Sequence, residues 1–274
     1  MSEDDIVLPH GQLSNDRIWP SVSLEAFAPL LGLALIGGLW WIGGFALQAN
    51  PRLSAFAGFA PGSAFASFAM LVSSGDAWSA AAPSLGRVLS GLVIALAFGA
   101  PLGFALGYFP LVEKAFQLPF QILRMISPLS WMPIAILAFP GWNGAIVFLI
   151  AAAAIWPIVF ATAAGVKRID PAWLAVGRTL GGRGSGLLRR VIAPAVAPDL
   201  LVGLRLALGT AWIVLVPAEY LGVTSGLGYA INDARDTLSY DRLAALVLLI
   251  GLIGFALDLV LARLLKRASW TPSA

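Results

Sequence analysis

Cysteine is absent from this chain of 274 residues, and histidine occurs once, as His10. Without a thiol the chain can form no disulfide and no cysteine-based metal site. The lone histidine lies in a polar stretch, where it is expected to be solvated, and it leaves no histidine–glutamate metal pair. Charge is also scarce, since 11% of the residues are charged whereas soluble domains carry about 25%. These absences argue against a metalloenzyme and against a soluble globule.

Apolar residues are abundant instead: 59% of the chain is hydrophobic and its mean hydropathy is +0.87. The remaining polar surface is too small to cover a globule in water, so the sequence predicts an all-α integral membrane protein. The sequence pI is about 9.6, but the net charge is only +3. The arginines do not alternate with aromatic residues along one stretch, which argues against nucleic-acid binding.

Six segments are apolar and long enough to cross a bilayer, since a spanning helix needs about 20 apolar residues. They are residues 24–47, 85–108, 115–139, 143–165, 195–222 and 243–265. Breaks at Pro51, Pro61-Gly62 and 73–76 predict a periplasmic or interfacial connection in the second part of the range 24–84. We expect the core of the protein in residues 85–265, between polar tails at 1–23 and 266–274. The first tail lacks the pattern of a cleaved signal peptide.

Two of these segments carry unusual residues. Small residues recur at every fourth position from Gly91 through Ala95, Gly99 and Gly103 to Gly107, which predicts a ridge where another helix packs closely. Pro119, Pro128 and Pro133 fall in the segment 115–139, so a regular helix is not expected there.

The distribution of cations predicts the orientation. If both termini are cytoplasmic, most lysines and arginines fall on the cytoplasmic side, mainly in the loop 166–194 and after residue 262. Such an excess is the rule for cytoplasmic loops.

Residues 170–194 form the longest polar interruption between the apolar segments. Asp170-Pro171 predicts a helix start, Gly181-Gly182 its end, and Ser185 the start of a second short helix that Pro194 is expected to close. Amphipathic helices of this length are not stable alone. They therefore need a partner surface, and anionic lipid headgroups in contact with the arginines are one candidate.

The order Ala175-Val176-Gly177, Gly181, Val191 and Pro194 resembles the EAA loop of binding-protein-dependent ABC importer permeases. Ala175 stands in place of the family's usual glutamate, Val176 and Gly177 in place of two alanines, and Ala193 in place of a leucine. Residues 124–137, 156–158, 203–205, 218–219 and 225–229 look like the nitrate, sulfonate, taurine and bicarbonate branch. The resemblance covers roughly residues 84–265.

This resemblance implies a type I ABC importer permease with six transmembrane helices in the bacterial inner membrane. It implies four kinds of partner: a second copy of the chain, two cytoplasmic ATPase subunits, a periplasmic binding protein and membrane lipid. The residues that would contact the ATPase are Asp170, Trp173, Val176, Gly177, Arg178, Leu180, Gly181, Leu187, Leu188, Val191 and Pro194.

The chain has no ATP-binding motif of its own. The phosphate-binding pattern G-x-x-x-x-G-K-[ST] does not occur, because the run from Gly181 to Gly186 continues into Leu187. We therefore expect no cofactor in this chain, ATP and magnesium on the partner ATPase, and no enzymatic activity here.

Polar groups inside membrane spans are costly and commonly line a path. Arginine suits planar oxyanions because its guanidinium carries a rigid fork of donors. The predicted path residues are Arg124, Ser127, Ser130, Trp131, Thr162, Arg205, Thr210, Trp212 and Glu219, the last by resemblance. Alternatively, each arginine pairs with a carboxylate or reaches the interface, each hydroxyl bonds to its own helix, and Glu219 pairs with an arginine. Asp258 is expected to form a local cap or salt bridge.

Residues 223–241 form a second polar break, which the predicted orientation places on the periplasmic side. Asp233, Arg235, Asp236 and Asp241 are predicted to dock the binding protein by charge complementarity. The alternative is a solvated loop.

Together these features predict the permease subunit of an ATP-driven importer for a small anion of the nitrate, bicarbonate, taurine or alkanesulfonate type, working by alternating access. One rival is an ATP-independent channel or secondary carrier, which should show internal repeats. The other is a lipid-acting membrane enzyme, which needs a catalytic constellation that the scattered carboxylates do not form.

Overall fold

A computed structural model of the protein describes residues 24–268. The predicted tail 1–23 and residues 269–274 lie outside the described residues. Within the described range every regular element is helical, which confirms the all-α class. The elements are α1 (Leu24–Ala49), a 3-10 helix (Pro51–Phe59), α2 (Pro61–Ser74), α3 (Asp76–Tyr108), α4 (Pro110–Leu123), a 3-10 turn (Pro128–Trp131), α5 (Met132–Ala138), α6 (Trp142–Lys167), α7 (Pro171–Thr179), α8 (Ser185–Leu187), a π-helical turn (Leu188–Ile192), α9 (Ala193–Tyr220), α10 (Leu227–Asp236) and α11 (Tyr240–Ala268).

Among the described residues, six helical stretches are long and apolar enough to cross a membrane. They are Phe27–Ala49, Pro51–Ser74, Asp76–Tyr108, Trp142–Lys167, Ser185–Tyr220 and Tyr240–Lys266. Residues Pro110–Leu123 and Pro128–Ala138 pass the same test only as a pair, which is bent by 87°. The prediction that residues 115–139 form no regular helix is therefore confirmed, and counting this pair as one span would make seven.

Segment 48–84 differs from the predicted connection. Pro51 and Pro61 each lie in the first turn of a helix, where the missing N–H would have had no partner. The two prolines therefore begin helices and do not interrupt one. Gly75, at φ 84°, ends α2 in the left-handed conformation, and α3 begins at Asp76 rather than at Leu85.

Helix α6 lies at the centre of the bundle, packed against α3 on one side and α9 on the other. The ridge of small residues on α3 is the surface that meets it. A Cβ added at Gly91 would lie 2.5 Å from Ile150, and one added at Gly103 would lie 2.7 Å from Thr162. The predicted contact ridge is thus confirmed, because the two backbones approach more closely than a side chain at these positions would allow.

A second apolar cluster joins α2, α3, α10 and α11 around Leu71, Leu227 and Leu246. Helix α1 stays at the periphery and packs mainly against the 3-10 helix Pro51–Phe59. Most of its large apolar side chains are exposed, as expected of a helix that faces lipid.

Candidate translocation groove and coupling surface

Helix α7 forms where residues 170–194 predict the first short helix. The Asp170 side chain accepts a hydrogen bond of 2.8 Å from the backbone N–H of Ala172, which satisfies a donor that the helix leaves unpaired. The helix ends at Thr179, and Gly181 follows at φ 81°. Both the cap and the glycine stop are confirmed.

The second short helix differs from the prediction. Gly184, not Ser185, is its N-cap, and Pro194 does not close it. Instead α8 continues through the π-helical turn Leu188–Ile192 into α9, so that residues 185–220 form one helical stretch. A proline inside a helix removes a backbone donor, and here the wider π turn lies directly before Pro194, where that donor is missing.

An open cavity of about 610 Å³ lies between α7 and the start of α9, and we call it the α7 groove. Its lining is mostly apolar and consists of Trp173, Val176, Gly177, Leu180, Arg190, Val191, Pro194, Ala195 and Pro198. Trp173, Val176 and Leu180 are 57%, 59% and 82% exposed. The rest of the chain therefore leaves these apolar side chains largely uncovered.

Six residues of the predicted coupling set line this groove: Trp173, Val176, Gly177, Leu180, Val191 and Pro194. Leu187 is buried beneath it, where a Cβ added at Gly177 would lie 2.8 Å away. Arg178, Gly181 and Leu188 are exposed outside the lining, and Asp170 serves as the cap.

The surface around the α7 groove is strongly cationic. Arg178, Arg183, Arg189 and Arg190 are exposed and form no ion pair within residues 24–268. No acidic residue occurs in the sequence between Asp170 and Asp199. Just before α7, two ion pairs, Lys167–Glu113 and Arg168–Asp199, join the C-terminal end of α6 to α4 and α9.

A second open cavity, of about 600 Å³, lies between the break after α4, the middle of α6 and the middle of α9. We call it the Arg124 groove. It is lined by Arg124, Ile126, Pro128, Ala153, Trp156, Pro157, Phe160, Ala161, Leu206, Thr210, Ile213 and Val214. Two of the predicted path residues, Arg124 and Thr210, are thereby brought together.

The other predicted path residues lie outside this groove. Trp131 lines an adjoining apolar pocket of about 240 Å³, and Ser127 and Ser130 are exposed at the helix break. Thr162 is buried against α3, and its Oγ1 has no hydrogen-bond partner in the described chain. Trp212 packs on α11, where a Cβ added at Gly254 would lie 2.6 Å from its indole nitrogen.

Arg205 is also outside the groove. Its Nε and Nη2 donate to the two carboxylate oxygens of Asp258, each at 2.6 Å. The pair joins α9 to α11, and it is the pairing alternative that the sequence left open for Arg205 and Asp258. Because Asp258 occupies the Nε and Nη2 donors of Arg205, fewer of its N–H groups are available to bind an anion.

Glu219 does not line the groove either, and it forms the pair with an arginine that the sequence left open. It is completely buried, and Arg87 Nη1 donates to its Oε1 at 2.5 Å. Ser84 Oγ donates to it at 2.8 Å and the N–H of Gly228 at 2.9 Å. A buried carboxylate needs a compensating cation and donors, and these three residues supply them.

Arg87 is the residue that sequence reasoning missed, because a single cation at the start of an apolar stretch does not by itself indicate a buried ion pair. It is buried in α3 and also donates to the side chain of Asn143 and to the hydroxyl and carbonyl oxygens of Ser225. Together with the bond to Glu219, these bonds use all the N–H groups of the Arg87 guanidinium. We call Ser84, Arg87 and Glu219, with their partners, the Glu219 cluster. The one feature of the sequence that indicates this cluster is the cation at the start of an apolar stretch.

Residues 223–241 are not a solvated loop, since α10 buries Leu227, Ala230 and Ala234. Of the residues predicted to dock a binding protein, Asp241 bonds to Ser67 and Asp233 lies 3.6 Å from Arg242. Arg235 and Asp236 are exposed and paired with each other.

Residues 84–270 match the family of binding-protein-dependent transport system inner membrane components. A putative ABC transporter permease protein of Methanocaldococcus jannaschii is 37% identical over 176 residues, which are 64% of this chain and 66% of the relative. The nitrate import permease protein of Leptolyngbya laminosa is 35% identical over 190 residues, which are 69% of this chain and 68% of the relative. The taurine transport system permease protein of Escherichia coli is 33% identical over 190 residues, which are 69% of this chain and 69% of the relative. The alignments span about two thirds of each relative.

Proposed function

Since the chain belongs to the family of binding-protein-dependent transport system inner membrane components, we propose that it is the permease subunit of an ATP-driven importer for a small anion. It is a multi-pass protein of the inner membrane. Relatives named for nitrate, bicarbonate and taurine transport support a substrate that carries an oxyanion group. Two copies of the chain would form the path, fed by a periplasmic binding protein and driven by two ATPase subunits.

The exposed apolar face of α7 is the observation that carries this proposal. A helix of nine residues is not stable alone in water, and its Trp173 and Val176 side chains and that of its C-cap Leu180 are mostly exposed. Such a patch marks a surface that another molecule covers. In this family a cytoplasmic ATPase subunit is the expected partner, and ATP and magnesium would be bound there.

The partner surface is expected to be acidic. Arg178, Arg183, Arg189 and Arg190 surround the α7 groove without a counter-ion in the described chain, and Ala175 removes the carboxylate found in most EAA loops. Complementary charge would steer the ATPase to this end of the bundle.

Movement of the ATPase would reach the transport path through α9. The α7 groove includes the first residues of α9, and the Arg124 groove includes its middle. Tilting of this helix would open the Arg124 groove to one side of the membrane or the other, in the manner of alternating access. On the opposite face, Arg235 and Asp236 of α10 remain exposed for contact with the binding protein.

The test compares Leu180→Ala with Leu111→Ala. Both leucines are about equally exposed, at 82% and 80%, and Leu111 lies at the start of α4, outside the α7 groove. Burial of one leucine contributes about 1.5–3 kcal/mol, so Leu180→Ala should weaken binding of the ATPase subunit about 10- to 100-fold and reduce ATP-dependent anion uptake into proteoliposomes. Leu111→Ala should bind and transport normally, and equal behaviour of the two variants would refute the proposal.

A further inference from the structure

Arg124 carries the one charge among the residues that line the Arg124 groove. Its guanidinium lies 5.1 Å from the centroid of the Phe160 ring, and it forms no ion pair with a described residue. An aromatic face stabilises a cation only in part. An arginine between membrane helices without a carboxylate partner therefore leaves a positive charge available to a bound anion.

The groove offers few other polar groups. Thr210 donates its hydroxyl proton to the backbone oxygen of Ala207 at 2.9 Å, so that proton stays within α9. No lining residue is acidic. A ligand held here would consequently be anchored by one anionic group on the guanidinium of Arg124.

The walls beside this anchor are apolar and aromatic. On α6 the rings of Trp156 and Phe160 stack with their centroids 6.3 Å apart. On α9 the facing side chains Leu206 and Ile213 are 59% and 74% exposed. This apolar surface is unfilled by the chain itself and would be covered by the body of a ligand.

The room in the groove exceeds the needs of a small inorganic ion. Its volume of about 600 Å³ lies within the range of pockets that bury drug-sized organic molecules. The adjoining pocket of about 240 Å³ shares Ile126, Pro128 and Trp156 with it and contains no charged residue. Apolar space thus continues behind the aromatic wall.

We infer that the Arg124 groove binds an organic monoanion: one sulfonate or carboxylate group on an apolar alkyl or aryl body, with no cationic group. The oxyanion meets the planar fork of Arg124, and the body lies between the aromatic wall of α6 and the leucine and isoleucine of α9. This inference rests on the proposed function, and it narrows the transported anion to an organic one.

The same lining disfavours the substrates for which those relatives are named. Nitrate and bicarbonate would pair with Arg124 but leave the apolar walls in contact with water. Taurine would bring an ammonium group into a groove without a carboxylate, and a buried unpaired charge is costly.

The probe is 1-hexanesulfonate, titrated calorimetrically into the full chain in lipid nanodiscs. Arg124→Gln should weaken its binding about 10- to 100-fold, the loss expected when one charged contact is removed. Arg52→Gln, which changes an exposed arginine in the 3-10 helix Pro51–Phe59 outside the groove lining, is the matched control and should bind normally. Heptanoate should compete with the probe, whereas nitrate, bicarbonate and taurine at equal concentration should not.

A second pair of variants keeps the test independent of any folding defect in Arg124→Gln. Ile213→Trp fills the groove from an exposed position and should abolish binding, whereas Leu252→Trp, at an exposed position on α11 outside the lining, should not. Three outcomes would each overturn the inference. The first is that nitrate displaces the probe, and the second is that the probe does not bind. The third is that binding is unchanged in both Arg124→Gln and Ile213→Trp, as simple partition of the probe into lipid would give.

Failure of this inference is distinguishable from failure of the proposed function. The titration contains neither nucleotide nor ATPase, so it reports on the groove alone. ATP-dependent uptake of nitrate that requires Leu180 would uphold the importer and overturn the organic ligand. Binding of hexanesulfonate to a chain that does not bind the ATPase would uphold the organic ligand and overturn the importer.

Discussion

Replacement of Glu219 by glutamine keeps the shape of the side chain and removes its charge. Glu219 is completely buried and accepts hydrogen bonds from Ser84, Arg87 and Gly228. A glutamine there would turn an NH₂ group toward groups that are themselves donors. It would also leave the guanidinium of Arg87 buried without a counter-charge.

The expected cost follows from that burial. Removing one partner of a buried ion pair costs about 3–5 kcal/mol. For a chain of this size, 1 kcal/mol corresponds to about 2–4 °C in melting temperature, so Glu219→Gln should lower it by roughly 6–20 °C. No cavity contributes to this loss, because glutamine and glutamate have nearly the same volume.

The assay is thermal unfolding of the purified chain in mild detergent, arranged as a double-mutant cycle with Arg87→Met. In the Arg87→Met background, Glu219→Gln should cost clearly less than it does alone, because no orphaned cation remains. Asp236→Asn is the control: this carboxylate is 57% exposed, and its loss should change the melting temperature by no more than about 2 °C.

Two outcomes would refute the reasoning. Additive effects of Arg87→Met and Glu219→Gln, within about 0.5 kcal/mol, would mean that the two charges do not stabilise each other. A small effect of Glu219→Gln, equal to that of Asp236→Asn, would mean that water reaches the Glu219 cluster.

Two further predictions concern helix packing and docking. Gly103→Ala should lower the melting temperature, because the new Cβ would lie 2.7 Å from Thr162 and overpacking costs about 1–3 kcal/mol; Gly86→Ala on the same helix meets nothing within 4 Å and should be neutral or stabilising. Replacement of Arg189 and Arg190 by glutamine should slow association with the ATPase at low salt and flatten its salt dependence, measured by surface plasmon resonance; an unchanged association rate would contradict the role of charge.

Local signals in the sequence predicted those features whose cause lies within a few residues. Asp170-Pro171 begins α7 because a capping carboxylate and a proline act inside one turn. The spacing of Gly91 to Gly107 predicted a close contact, because residues four apart share one face of a helix. The partner of that ridge, α6, became known only from the structure.

Prolines were harder to interpret, since the same residue can begin, bend or end a helix. Pro51 and Pro61 begin helices, Pro194 lies within a continuous one, and a wide break precedes Pro128. Which of these occurs depends on whether the missing N–H falls in a first turn or is accommodated by a π turn. Neighbouring residues in the sequence do not decide that.

The Glu219 cluster could not be predicted because its members are far apart in the chain. Arg87 and Glu219 are separated by 132 positions, and each alone is an ordinary polar residue near the end of an apolar segment. The Arg124 groove presents the same problem, since Arg124, Phe160 and Thr210 belong to three separate segments. Residue type predicted which side chains were candidates, and only tertiary packing selected among them.

Helix α9 connects the α7 groove, the Arg124 groove and the Glu219 cluster. The helical stretch Ser185–Tyr220 has 36 residues, about 54 Å at 1.5 Å per residue, with the α7 groove at one end, the Arg124 groove at its middle and Glu219 near the other end. A Cβ added at Gly203 would lie 2.6 Å from Ala161, so this part of α9 cannot shift without moving α6. Pro198 and Pro217 lie on either side of the groove-lining residues 206–214, and helices bend at prolines. Force applied at α7 would therefore tilt the middle of α9 together with α6 against the break after α4, the third wall of the Arg124 groove, while the Glu219 cluster holds the far end in place.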